Sequence, residues 1–172
     1  MKEIVNKVTN SPLITFNLEE YYDQSDFAEF DMKQHLFQGL ILREKDFRGF
    51  IKTCDWSVYQ DKNVALFCSA DAIVPTWAYM LVTNKLSGIA KNVFFGSATD
   101  MQQALILEKL NVINIEDYRD KMIVVKGCSK FEVPIGAYVA ITEKFTPVVK
   151  SIMFGEPCST VPIYKKKRVE NK

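Results

Sequence analysis

The chain has 172 residues, close to the size of one domain, with 22 Lys and Arg against 21 Asp and Glu and a net charge of +1. With 48% hydrophobic and 25% charged residues, its composition is that of an ordinary globular domain. This excludes a disordered chain, a collagen-like repeat and a disulfide-dense mini-protein. A charge this near zero also speaks against the broad basic footprint of a nucleic-acid binder.

The opening MKEIVNKVTN carries neither the apolar core nor the cleavage site of a secretory signal. The longest near-apolar stretch, 72–82, is interrupted by Pro75 and is too short to span a bilayer. A cytoplasmic location with no membrane partner is therefore expected. In that reducing compartment the four cysteines serve as thiols or metal ligands rather than disulfides.

The first 60 residues read as an extension of the same domain. Leu13 to Leu18 alternates like a half-exposed strand, Phe27 to Met32 is expected as its antiparallel partner, and Lys33 to Thr53 reads as helix with a break near Gly39. From residue 61 to 162 the pattern becomes strand, helix, strand, helix. Apolar runs at Val64–Phe67, Val93–Phe95, Met122–Val125 and Ser151–Phe154 predict four buried strands. Pro75 opens a helix to about Ala90, Asp100 caps one through Leu110, and Pro134 opens one to about Val149. In the last helix Ile135, Val139, Ile141 and Phe145 are expected on or near the buried side. Residues 163–172, with Lys165–Arg168, read as a solvated basic tail. The expected fold is α/β: a single-domain three-layer sandwich with a mostly parallel sheet, the four strands of the repeat in the order 2-1-3-4.

Three cysteines recur in one context. Cys68, Cys128 and Cys158 are each followed by Ser, a short spacer and Val-Pro, and Gly96-Ser97 occupies the remaining slot. The steps from 68 to 96, 128 and 158 match the length of a βα unit, so every slot falls just past the carboxyl end of a strand. Ligands of open α/β sheets bind there. Strands about 4.8 Å apart would let three thiols surround one small site, and helix N-termini beside them would favour thiolate. Asp71, three residues after Cys68, reads equally as a fourth ligand, a general base or a helix cap. His35, the only histidine, is a candidate ligand from outside the sheet, although a lone histidine is more often a surface or core residue. Cys54 lies outside the repeat and reads as structural. Glu156 reads as a solvated loop carboxylate near the site, and Trp77 and Tyr79 as helix packing. No C-x-x-C, phosphate-binding Gly-rich loop, G-x-S-x-G or H-E-x-x-H occurs.

At CSADAIVPTWAYML, VKGCS, KSIMFGEPCSTVP and the upstream GLILREKDFR, the chain resembles, over nearly its whole length, an uncharacterised family of unknown function from Bacteroidetes bacteria. Members of that family are sometimes encoded near sulfur-mobilising iron–sulfur assembly genes, and by that association the resemblance implies iron–sulfur assembly proteins as partners. The residues themselves favour a metal site in which Cys68, Cys128 and Cys158, completed by Asp71, His35 or an exogenous group, hold zinc or an iron–sulfur cluster. Two alternatives stay open: a nucleophilic or sulfur-carrying thiol, Cys68 or Cys128, and an interaction module whose cysteines fill space.

Overall fold

The structure, a computed structural model, describes residues 13–127, 130–156 and 159–167. Seven strands are described: β1 Leu13–Asn17, β2 Phe27–Asp31, β3 Asn63–Phe67, β4 Asn92–Phe95, β5 Met122–Lys126, β6 Ser151–Glu156 and β7 Ser159–Lys165. Four α-helices accompany them: α1 Glu44–Thr53, α2 Thr76–Leu86, α3 Ala98–Asn111 and α4 Ile135–Phe145. The class is α/β, as the alternation of strand and helix implies. All four strands of the repeat form, and so do both N-terminal strands.

The strands assemble into two sheets, ordered β1-β5-β6-β7 and β2-β3-β4. The expected single sheet in the order 2-1-3-4 is corrected: β3 and β4 share one sheet, β5 and β6 the other. Nor do β1 and β2 pair with each other. Leu13–Asn17 runs parallel to Met122–Lys126, and Phe27–Asp31 runs parallel to Asn63–Phe67. Alternation marks a segment as strand but carries no information about its neighbour, since both pairings bury the same face. The tail is also shorter than expected, because Ser159–Lys165 is a strand antiparallel to β6.

The chain divides into two compact units, a central one (Gln24–Gln102) and a flanking one (residues up to Asp23 and from Gln103 on). In the central unit Phe30, Val64 and Leu66 form a core with Phe47 and Ile51 of α1 and Ala78, Val82 and Leu86 of α2. In the flanking unit Phe16, Ile123, Val125 and Ile152 pack with Ile106 and Leu110 of α3 and Ala137, Ile141 and Phe145 of α4. Residues two apart on a strand share a face, so in each unit both helices cover the same side of the sheet. Right-handed crossovers along a monotonic strand order produce this arrangement. Full burial of each such Leu, Ile or Phe contributes roughly 1.5–3 kcal/mol.

Two residues expected inside α4's buried stripe lie outside it: Ile135 is 80% and Val139 63% exposed. The helix turns Ala137, Ile141 and Phe145 inward instead, a spacing of four that places all three on one face. The cap of α3 is also one turn earlier than Asp100. Ser97 and Asp100 bond reciprocally, Asp100 N–H to Ser97 Oγ at 3.2 Å and Ser97 N–H to Asp100 Oδ2 at 3.0 Å, which makes a capping box.

The two units repeat one another. Each reads strand, 3₁₀ turn, helix, 3₁₀ turn, strand, helix, strand. Equivalent residues from α1 onward lie 59 apart (134 − 75 and 155 − 96). At this offset Val74-Pro75 matches Val133-Pro134, and Ala78, Tyr79, Thr83 and Lys85 of α2 match Ala137, Tyr138, Thr142 and Lys144 of α4. Hydrogen bonds repeat as well: Asp61 N–H to Ile89 O at 2.9 Å and Asp120 N–H to Val148 O at 2.9 Å. Asp61 and Asp120 both adopt left-handed backbone, with φ of 58° and 56°. The first strands correspond at an offset of 14 (30 − 16), aligning Phe16 with Phe30 and Leu18 with Met32.

Candidate functional site

In the flanking unit the parallel strands β1, β5 and β6 end together and leave a cavity of about 190 Å³. Its walls come from Asn17 at the end of β1 and Glu19 beyond it, Lys126 at the end of β5 and Gly127 beyond it, and Phe154, Gly155 and Glu156 of β6. This is the position at which open parallel sheets bind ligands. Two glycines in its wall leave no room for a side chain. A Cβ on Gly127 would lie 2.9 Å from the Tyr138 hydroxyl oxygen, and Gly155 has a φ of +123°, where a Cβ would meet Ser159 O at 2.5 Å.

Glu19 was not singled out in the sequence. It is 8% exposed and accepts hydrogen bonds from the backbone N–H of Lys130 at 2.7 Å and of Phe131 at 3.3 Å. Its carboxylate thus ties the turn after β1 to the loop before α4. Asn17 accepts from Glu19 N–H at 3.2 Å and starts that turn. Across the cavity Lys126 Nζ stands 3.5 Å from Glu156 Oε1. Glu156 therefore belongs to the wall of a strand end and is no loop carboxylate. The Tyr138 hydroxyl donates to Gly127 O, holding the loop after β5 against α4. The only sequence signal for Glu19 was its place after an alternating strand, which many surface carboxylates share.

At the corresponding rim of the central unit, side chains bond across the strand ends. Asp31, the equivalent of Asn17, accepts from Ser69 Oγ at 2.6 Å, Ser69 N–H at 2.9 Å and Lys33 N–H at 2.9 Å. Burial raises the Asp31 pKa, but the bonds from Ser69 and Lys33 outweigh it and hold the carboxyl below its usual value. Cys68 is half-buried and directs its thiol to Ala70 O at 3.6 Å. Asp71 is exposed. Burial first, then the charges of Cys68 and Asp31, raise the pKa of Tyr79.

The sequence-predicted residues follow strands of two different sheets. Cys68 and Asp71 follow β3 in one sheet, whereas β5 and β6, which precede Cys128 and Cys158, belong to the other. Cys128 and Cys158 lie outside the described residues. Among the described residues no group of three His, Cys, Asp or Glu is placed to hold a metal ion. His35 sits in the 3₁₀ turn Met32–His35 and stacks on Phe30 and Phe50 with centroids 5.2 Å and 4.0 Å away. Burial lowers its pKa, with Asp31 pulling the other way. Cys54 packs against the central core, where burial and then Asp55 push its thiol pKa up.

The fold and this rim define an α/β protein with a cavity at the carboxyl ends of parallel strands. The chain belongs to the DUF2480 family of proteins of unknown function, whose model matches residues 2–166. No curated protein and no solved structure matches it. No helix among the described residues is long and apolar enough to cross a membrane.

Proposed function

We propose that the rim of β1, β5 and β6 is the working site, and that it binds a soft metal ion or an iron–sulfur cluster through Cys128 and Cys158. One observation carries the reading. Gly127, which lines the cavity, directly precedes Cys128, and Glu156, which also lines it, comes two residues before Cys158. Consecutive Cα atoms are about 3.8 Å apart, and a chain distance of one or two residues from a wall residue supports assigning both thiols to this rim. Thiolates select zinc, copper(I) or iron–sulfur centres. Glu19, Glu156 or sulfide would complete the donor set. This reading goes with a reducing cytoplasm and with iron–sulfur assembly proteins as partners. A nucleophilic or sulfur-carrying Cys128 is the second reading. It is favoured by Lys126 and the N-terminus of α4 at the same rim, both of which stabilise a thiolate.

Anaerobic purification followed by metal and acid-labile sulfide analysis tests the first reading. Bound metal is expected in the native protein, lost in a Cys128→Ser, Cys158→Ser double variant and kept in Cys54→Ser; Cys68→Ser reports whether the third thiol contributes. Metal-free protein with its thiols reduced, or full metal content in the double variant, would overturn it. One thiol alkylated far faster than the others in metal-free protein would favour the second reading.

A further inference from the structure

We propose that the central unit binds a small aromatic carboxylate in a second cavity, between the turn Met32–His35 and α1. The cavity has a volume of about 280 Å³, at the lower edge of the roughly 300–1,000 Å³ range of small-molecule pockets. That suits a single ring with a short arm.

Its floor and walls are aromatic. Phe47 is buried, Phe50 half-buried, and the His35 ring centroid lies 5.6 Å from that of Phe47 and 4.0 Å from that of Phe50. Such rings receive another ring by offset or edge contacts. The mouth is charged. Arg43 is exposed, its guanidinium carbon 3.0 Å above the Phe37 ring, and it forms no ion pair among the described residues. A guanidinium stacked on a ring keeps its N–H edge for a carboxylate, which it grips with two parallel bonds. Burial lowers the His35 pKa, with Asp31 opposing it; a neutral ring there would offer a guest one N–H donor and one acceptor. Asp46 also lines the cavity. Its charge opposes a multiply charged anion such as a phosphate ester and tolerates one carboxylate, and it would reward an ammonium on the same ligand.

The internal repeat shows that the fold alone does not create this cavity. Phe37 and Phe50 correspond to Asp23 and Lys109 of the flanking unit (37 − 23 = 14, 109 − 50 = 59). There the two positions are bridged: Lys109 Nζ lies 3.4 Å from Asp23 Oδ2, and the Asp23 side chain is only 8% exposed. The same architecture thus carries an ion pair in one unit and an aromatic hollow in the other.

His35 is the only histidine, so its ring protons are assigned in an NMR spectrum without further work. Titration of the full chain with phenylacetate is expected to shift them saturably and to give saturation transfer to the ligand ring, whereas acetate does neither. Arg43→Gln, which installs the residue found at the equivalent Gln102, is expected to weaken binding about tenfold through loss of a charge-assisted contact. A Phe37→Asp, Phe50→Lys double variant, importing the ion pair of the flanking unit, is expected to abolish it. Should that variant fail to fold, Arg43→Gln, an exposed change, carries the test. L-phenylalanine separates the two sources of the chemistry: tighter binding than phenylacetate, reversed by Asp46→Asn, assigns an amino acid, and the opposite order an aromatic acid. The proposal is overturned by an unmoved His35 signal with both compounds, by equal response to acetate, or by unchanged affinity in Arg43→Gln.

Discussion

The central and flanking units share one plan and differ at their hollows. At the strand ends, Asp31 bonds to Ser69 across the central rim, while Asn17, Gly127 and Gly155 line a cavity at the flanking rim. Beside the first helix the situation is reversed, with Phe37 and Phe50 around a cavity in the central unit and Asp23 paired with Lys109 in the flanking one. The backbone decides where a hollow can exist. The side chain at one or two equivalent positions decides whether it is filled, because a short hydrogen bond or an ion pair closes a gap of only a few ångströms.

The comparison is broken most severely in the cores. Leu86 and Phe145 occupy equivalent, fully buried positions at the ends of α2 and α4. Phe145→Ala is expected to cost about 3–5 kcal/mol and Leu86→Ala about 2–5 kcal/mol, read by urea unfolding. A cost below about 1 kcal/mol for either would contradict the packing described for that unit.

A smaller contrast comes from the equivalent glycines. Gly96 has a φ of +139° and Gly155 of +123°; a Cβ on Gly96 would meet the Phe94 ring at 2.9 Å, whereas one on Gly155 would meet backbone, Ser159 O, at 2.5 Å. A ring can move and a paired strand cannot. Gly155→Ala is expected to cost about 2–3 kcal/mol and Gly96→Ala about 1–2 kcal/mol. Thermal melts that rank them the other way would show that β7 gives way more easily than its pairing with β6 implies.

The mildest test lies at the equivalent turn starts. Asn17→Ala is expected to cost about 0.5–1 kcal/mol and Asp31→Ala about 1–2 kcal/mol, since Asp31 also holds Ser69. The Asp31 carboxyl titrates below its ordinary value. Its stabilising effect is therefore complete above the unfolded-state pKa of about 3.9 and lost as pH falls through the lower folded value. The stability gap between the native protein and Asp31→Asn is expected to shrink below about pH 4, whereas Asn17→Ala shows no such dependence. A gap that stays constant from pH 6 to pH 3 would remove the role assigned to the Ser69 bonds.

Much of the local structure was legible. Val64–Phe67 and Met122–Val125 are apolar at every or nearly every position, and the core strands of both units stand where those runs lie. Pro75 and Pro134 mark the starts of α2 and α4 to the residue. The recurrence of Val-Pro and Cys-Ser pointed to a repeated unit, yet the more informative period was longer than one βα step. The 59-residue offset emerges only when Tyr79, Thr83 and Lys85 are laid on Tyr138, Thr142 and Lys144. Of the candidate site, Glu156 was recognised but given a loop, and Glu19 went unseen, because its role depends on N–H groups more than a hundred residues away in the chain.

Local order in this protein follows from its residues alone: which segments are strands, where helices begin, and which positions are apolar. Those choices depend on neighbours one to four residues apart. Partnership of the strands does not. Tertiary structure alone placed β1 beside β5 and β2 beside β3, divided the strands between two sheets, and left a cavity at the rim of β1, β5 and β6. An alternating strand buries the same apolar face against any suitable edge, so the pairing is settled by how the whole chain closes its two cores.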